Sequence, residues 1–128
     1  MHKTHYMKAS ILTAFLFVLG FTASAQLTNT KWKGAISAPT EVEVVLQFKK
    51  DTLNIVIAGT DNVIESMKYS IKDDVITINK ISGGSPCNND VSATVKYIIK
   101  DKSLILVPVN DPCEERKNAW PVEGFIKE

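Results

Sequence analysis

Two cysteines are the residues of this chain whose type and placement could do chemistry. Cys87 lies in SGGSPCNND and Cys113 in VNDPCEER, so each follows a proline in a polar stretch. A cysteine pair can form a structural disulfide, act as a reactive dithiol or bind a metal through its thiolates. No C-x-x-C spacing is present, and two thiolates are too few for a zinc site without histidine. We predict a disulfide between Cys87 and Cys113, with a free redox pair as the alternative.

Histidine, the usual general base and nitrogen ligand of proteins, occurs only at His2 and His5. Both lie in the leader described below, so the rest of the chain has no histidine for a nucleophile system or a metal site. The other acid–base candidates, such as Glu41, Glu43 and Lys96, fall on the polar face of predicted strands and lack an activating partner. We predict a non-enzymatic protein with no catalytic residue, metal site or cofactor.

The predicted bridge would gather the acidic residues that flank the two cysteines: Asp90, Asp111, Glu114 and Glu115. Calcium takes about six to eight oxygen ligands, and these carboxylates could supply several. The D-x-D-x-D-G spacing of a calcium-binding loop is absent, so calcium is not part of the prediction.

The first 25 residues have the pattern of a secretory signal peptide. Lys3 and Lys8 precede an apolar run over 11–21, and Ala23-Ser24-Ala25 carries the small residues that signal peptidase accepts. The apolar run is about half the roughly 20 residues that a membrane span needs. We predict cleavage near Ala25, export to the periplasm or the medium, a single domain over residues 26–128, and no integral membrane segment in the mature chain.

Charge argues against two classes of partner. The full chain has a net charge of +1, and removal of Lys3 and Lys8 leaves 13 basic against 14 acidic residues, a net charge of −1. Nucleic acids and anionic lipids both require clustered lysine and arginine. We therefore predict no nucleic-acid partner and no basic surface for lipid.

Apolar residues alternate with polar ones along most of the mature chain, a period of two that is typical of half-buried strands. In EVEVVLQFKK, for example, Val44, Leu46 and Phe48 fall on one face and Glu43 and Gln47 on the other. The same pattern recurs in DTLNIVIAG, MKYSIK, VITI and VSATVKYIIK, with polar turns at KKD, KDD and KDK. Strands around KWKGAIS, SLILVPV and GFIKE bring the count to about eight, and only residues 112–119 indicate a helical turn.

Short antiparallel strands in this number favour an all-β, up-and-down barrel, which removes exposed edges by closing on itself. A two-sheet β-sandwich is the alternative. SLILVPV is apolar on both faces, so we expect the C-terminal segment to cover that strand from outside.

Trp32 in NTKWKG, on the first predicted strand, and the lone late Arg116 carry a family resemblance. The pattern resembles the lipocalin and broader calycin group. WKG near the start, SPC in the middle and DPC near the end also resemble small exported lipocalin-like proteins of uncharacterised function. Thr30 stands where that group has the glycine of its G-x-W motif. The resemblance implies an eight-stranded barrel whose floor is closed by Trp32 under Arg116. Arg116 could stack on the indole ring as a cation–π contact, and the alternative is a solvated residue beside Glu114 and Glu115.

We predict a monomeric carrier that holds a small hydrophobic ligand inside the barrel. The alternative is a structural or interaction module of the cell envelope whose filled core leaves no room for a ligand. For the carrier, the ligand-lining candidates are the following inward side chains: Trp32, Val44, Leu46, Phe48, Leu53, Ile55, Met67, Tyr69, Val95 and Tyr97.

Overall fold

A computed structural model describes residues 26–128 of the chain, and the predicted signal peptide lies outside these described residues. Within them, no helix has the length and the apolar character that a membrane span requires. The elements, in chain order, are β1 (Thr30–Ser37), β2 (Glu41–Phe48), β3 (Thr52–Ile57), β4 (Val63–Lys72), β5 (Val75–Gly83), β6 (Ser92–Lys100), β7 (Ser103–Asn110), α1 (Glu114–Lys117) and β8 (Phe125–Lys127).

The strands bury the residues that the alternation predicts. On β2, Val44, Leu46 and Phe48 are buried in the core, whereas Glu41 and Glu43 are exposed. Alternation places every second side chain on one face of a strand, so one face of each strand enters the core and the other meets solvent.

The eight strands form a closed antiparallel barrel in the order β1 to β8, which confirms the predicted up-and-down barrel over the sandwich. β8 closes it by pairing with both β7 and β1. Phe125 of β8 is fully buried beside Gly34 of β1, where a Cβ would lie 2.5 Å from the Phe125 ring. A glycine is therefore needed at this point of closure.

Hairpin turns join the strands where the sequence predicts them. The β2–β3 turn is closed by a hydrogen bond from the Lys49 N–H to the Thr52 carbonyl, 2.8 Å long. Asp73 lies in the β4–β5 turn and Asp101 in the β6–β7 turn, with φ of 58° and 56°. Aspartate tolerates this left-handed conformation better than most residues, which suits it to tight turns.

The expectation that the C-terminal segment covers β7 from outside is wrong. Instead β8 pairs with β7 through Ser103 and Leu104, and Val107 and Val109 stay exposed. Closure of the barrel requires the last strand to lie between β7 and β1, and this takes it away from the outer face. Beyond Leu104, the structure of residues 26–128 pairs β7 with β6 alone, and Pro108 lies in this one-sided part, where a missing N–H is tolerated.

Candidate functional site

The interior of the barrel is filled by side chains. The ten ligand-lining candidates are all buried and belong to one core cluster that also includes Leu27, Ile36 and Phe125. A cavity wide enough for a ligand would leave accessible surface on the side chains around it. Val44 and Leu46 have 0% of their surface exposed, and Tyr69, the most exposed of the ten, has 8%.

The end of the barrel at which β1 starts is closed by the turn that precedes this strand. Leu27 in that turn is fully buried, and the Trp32 indole Nε1 donates to Thr30 Oγ1 at 2.8 Å. Beside them, the rings of Phe48 and Tyr69 meet edge to face at 5.3 Å, and the Tyr69 hydroxyl donates to the Lys49 carbonyl. The Trp32 Nε1 and the Tyr69 hydroxyl thus each have a hydrogen-bond partner while their rings pack in the core.

Trp32 and Arg116 do not form the predicted closing pair. The cation over the Trp32 ring is Lys127, whose Nζ lies 5.9 Å from the ring centroid. Arg116 instead bonds to Asp111 and to the carbonyl of Val91, which precedes β6 at the opposite end of the barrel. The reason is the path of the chain: Lys127 pairs with Trp32 across β8 and β1, whereas Arg116 comes before the chain returns to close the barrel.

The opposite end carries a cap, which we define as residues 111–120. Cys113 of the cap is bridged to Cys87 of the β5–β6 loop with their Cα atoms 5.6 Å apart, so the predicted disulfide is confirmed. Farther along, the Ala119 carbonyl accepts from the Ser37 N–H at the end of β1, at 3.1 Å. The cap therefore reaches from the β5–β6 loop to β1, and Trp120 packs against the core below it.

Arg116 is the centre of the cap. Its Nε and Nη2 donate to the two carboxylate oxygens of Asp111 at 2.7 and 2.8 Å, and both side chains are buried. Because Asp111 is committed to this pair, it does not combine with the other acidic residues of the cap. Among residues 26–128, no group of three or more His, Cys, Asp and Glu side chains is arranged to hold a metal ion.

A second buried ion pair, which the sequence analysis missed, joins β4 to β5. Glu65 and Lys80 are both 7% exposed, and Glu65 Oε1 lies 3.9 Å from Lys80 Nζ. Lys80 donates to the carbonyls of Ser85 and Cys87 at 2.7 and 3.0 Å, and the Ser85 hydroxyl donates to Glu65 Oε2. The sequence does indicate that Lys80 points inward, because this residue continues the alternation of Ile76 and Ile78.

Three buried side-chain atoms at or near this end have no hydrogen-bond partner: Glu65 Oε1, Arg116 Nη1 and Trp120 Nε1. Buried polar groups are usually paired, and each unpaired one carries a desolvation cost of about 1–3 kcal/mol. The interior of the barrel is otherwise apolar, so the capped end is its polar end and the place where buried polar atoms lack hydrogen-bond partners.

The outer face of β1, β2 and β3 carries an open groove of about 380 Å³. Val45 and Val56 form its floor as a cross-strand pair, and Lys33 on its wall bonds to Glu43 at 3.0 Å. This hydrogen bond raises the pKa of Lys33 above its usual value. Glu43, considered above as an acid–base candidate, is therefore the partner of a surface lysine.

A second surface feature is an aliphatic patch on the side of β6, β7 and β8. Seven large apolar side chains are exposed on the described residues, and five of them fall on these strands or on the turn before β8. On the outer face, Ile98 lies directly opposite the half-buried Ile105. We use "aliphatic patch" for these five residues: Ile98, Val107, Val109, Val122 and Ile126.

Comparison of the chain with protein-family models, with curated proteins and with solved structures finds no match. The candidate site is therefore defined by geometry alone: a filled interior, a tethered cap and an outer face with an aliphatic patch.

Proposed function

We propose that this chain is a non-enzymatic, exported, lipocalin-like barrel that acts through its outer surface as a binding partner of another protein. The packing of the interior carries the proposal. All ten side chains that would line a ligand site are at most 8% exposed, and they pack against one another. An eight-stranded barrel has an interior that side chains can just fill, so this packing favours the filled module over the carrier.

Closure of both ends supports the same conclusion. At one end Leu27 is fully buried, and at the other the cap is tethered by the Cys87–Cys113 bridge. A ligand would have to displace one of these closures and then reorganise a close-packed core. In a carrier, this opening of one end and repacking of the core would be needed each time the ligand enters or leaves.

Export is supported by the disulfide together with the signal-peptide pattern of residues 1–25. Structural disulfides persist in oxidising compartments, such as the periplasm or the medium, and are rare in the cytosol.

The aliphatic patch is the surface that we assign to the partner. Exposed apolar side chains on neighbouring strands commonly mark an interaction site. The exposed large apolar residues of residues 26–128 are all valine or isoleucine. Membrane-surface sites instead favour aromatic anchors and basic residues, and the mature chain has a net charge of −1, so a protein partner fits this face better than a bilayer.

The test combines native mass spectrometry with surface variants. Protein purified gently from its exporting cell should show a bare polypeptide mass and take up no fluorescent fatty acid. Chemical cross-linking in the same cell should capture one protein partner, and V107K/I126K should lose it. The matched control Ser70→Lys adds a charge at another exposed strand position and should keep it. A co-purifying small molecule that leaves on mild activation, or a partner that V107K/I126K retains, would overturn the proposal.

A further inference from the structure

Each cysteine of the bridge lies beside a buried ion pair of its own. Lys80 donates to the Cys87 carbonyl at 3.0 Å, and the Cys113 N–H donates to Asp111 Oδ1 at 2.9 Å. These contacts hold the backbone of the two cysteines and do not involve their sulfur atoms. They can therefore form before the disulfide does.

On the Cys87 side, the pair fixes the loop at two points. Lys80 Nζ also donates to the Ser85 carbonyl at 2.7 Å, and the Ser85 hydroxyl donates to Glu65. Since Lys80 and Glu65 lie on the neighbouring strands β5 and β4, the stretch from Ser85 to Cys87 is anchored to the barrel wall.

On the Cys113 side, the pair ties the cap to the same loop. Arg116 makes a two-point contact with Asp111, and its Nη2 also donates to the Val91 carbonyl at 3.2 Å. Val91 ends the loop that contains Cys87, so this contact brings the two cysteine-bearing segments together without the bridge.

Buried ion pairs contribute little net stability compared with apolar residues of the same volume, because removing both charges from water is costly. Two buried ion pairs in a barrel of this size therefore indicate a role other than stability, namely the positioning of the groups beside them. We propose that Glu65–Lys80 and Asp111–Arg116 are positioning residues for thiol oxidation, which hold Cys87 and Cys113 within bonding reach in the reduced, folded chain. This inference is independent of the proposed function.

The oxidation needs a disulfide as oxidant, and we use glutathione disulfide as the probe. One cysteine thiolate attacks it and releases one glutathione thiolate, leaving a mixed disulfide. The second cysteine thiolate then attacks the mixed disulfide and releases the second glutathione. The protein loses two electrons and two protons, and two molecules of reduced glutathione carry them away.

The measured quantity is the effective concentration of the two thiols, obtained from the ratio of oxidised to reduced protein in glutathione buffers after alkylation and mass analysis. Two thiols on a flexible chain have effective concentrations in the millimolar range. We expect the folded chain to exceed its own urea-unfolded form at least 100-fold. We also expect Lys80→Met and Asp111→Asn each to lower the folded value at least tenfold, and Lys80→Arg, which keeps a charged donor, to restore most of it.

The control is Asp74→Asn, which breaks the exposed Lys96–Asp74 pair and should leave the effective concentration unchanged. A variant that loses stability but keeps the wild-type effective concentration would show that its pair is merely structural, and would overturn the proposal. If neither test variant folds, reduced wild-type protein decides the question. The Cys113 amide, which bonds to Asp111, should stay protected from hydrogen exchange after reduction, and exchange at the unfolded rate would refute the proposal.

Discussion

A single glycine at the end of β5 allows Glu65 to lie in the barrel interior. Gly83 has φ of +140°, and a Cβ on it would lie 1.8 Å from Glu65 Oε1 and 2.7 Å from the Ile64 carbonyl oxygen. We expect Gly83→Ala to destabilise the fold by about 1–3 kcal/mol, because the alanine is strained in this conformation and must displace a buried charge. Urea denaturation measures the loss.

Gly84 supplies the matched control for this prediction. Its φ is not in the left-handed region, and a Cβ there would meet nothing within 4 Å. Gly84→Ala should therefore leave the free energy of unfolding almost unchanged. Equal losses in the two variants would mean that the loop yields to the new methyl group and that Glu65 does not require Gly83.

Tyr97, near the end of β6, makes stability depend on pH. Burial raises the pKa of its phenol, and the nearby Asp74 carboxylate adds to the effect. The folded chain therefore holds this proton more tightly than the unfolded chain. The stability that follows is fully present below the unfolded pKa of about 10 and is lost as pH rises through the higher folded value. In Tyr97→Phe, the free energy of unfolding should fall less steeply above about pH 10, and a slope equal to that of the wild type would contradict this assignment.

At the scale of elements, alternation was sufficient for strands such as β2, because one face is apolar and the other carries charge. Alternation did not predict the charged side chains that point into the barrel. Lys80 and Glu65 have the parity of the core residues around them, but charged residues are almost always exposed, and this expectation outweighed the parity. The register shift between Ser66 and Met67 leaves Ile81 as an extra residue on β5. Such a bulge changes which side chains face inward beyond it, and the alternation along the sequence does not predict its position.

The turn before β1 closes one end of the barrel, although no pattern in the sequence predicts this role. Leu27 in this turn is fully buried in the core. Leu27→Ala should cost about 2–5 kcal/mol, because it removes a core side chain and leaves a cavity. The same kind of truncation at Val122, which is 90% exposed, is the control and should cost almost nothing. Thermal unfolding of both variants checks the prediction, and equal melting temperatures would contradict the closing role of Leu27.

At the scale of the whole molecule, the sequence was enough for the barrel and for the disulfide but not for the arrangement at its two ends. The family resemblance predicts that Trp32 and Arg116 close the barrel together. The structure places them at opposite ends, with Lys127 over the indole and Asp111 beside the guanidinium. Local periodicity carries no information on such pairing, because the partner of a side chain depends on where the chain returns after many residues.

Loss of the disulfide should lower the stability of the whole molecule. Cys87 and Cys113 are 26 residues apart, and in the chain-entropy model a loop of this length contributes about 3.5 kcal/mol. Domains of this size are stable by about 5–15 kcal/mol, so the double variant C87S/C113S should remain folded, with a melting temperature lower by roughly 15–25 °C. Its far-UV circular dichroism should match the wild type at 25 °C, since both ion pairs and the filled core remain. An unfolded spectrum at that temperature would show instead that the barrel depends on its bridge and that the core and the ion pairs do not hold the cap without it.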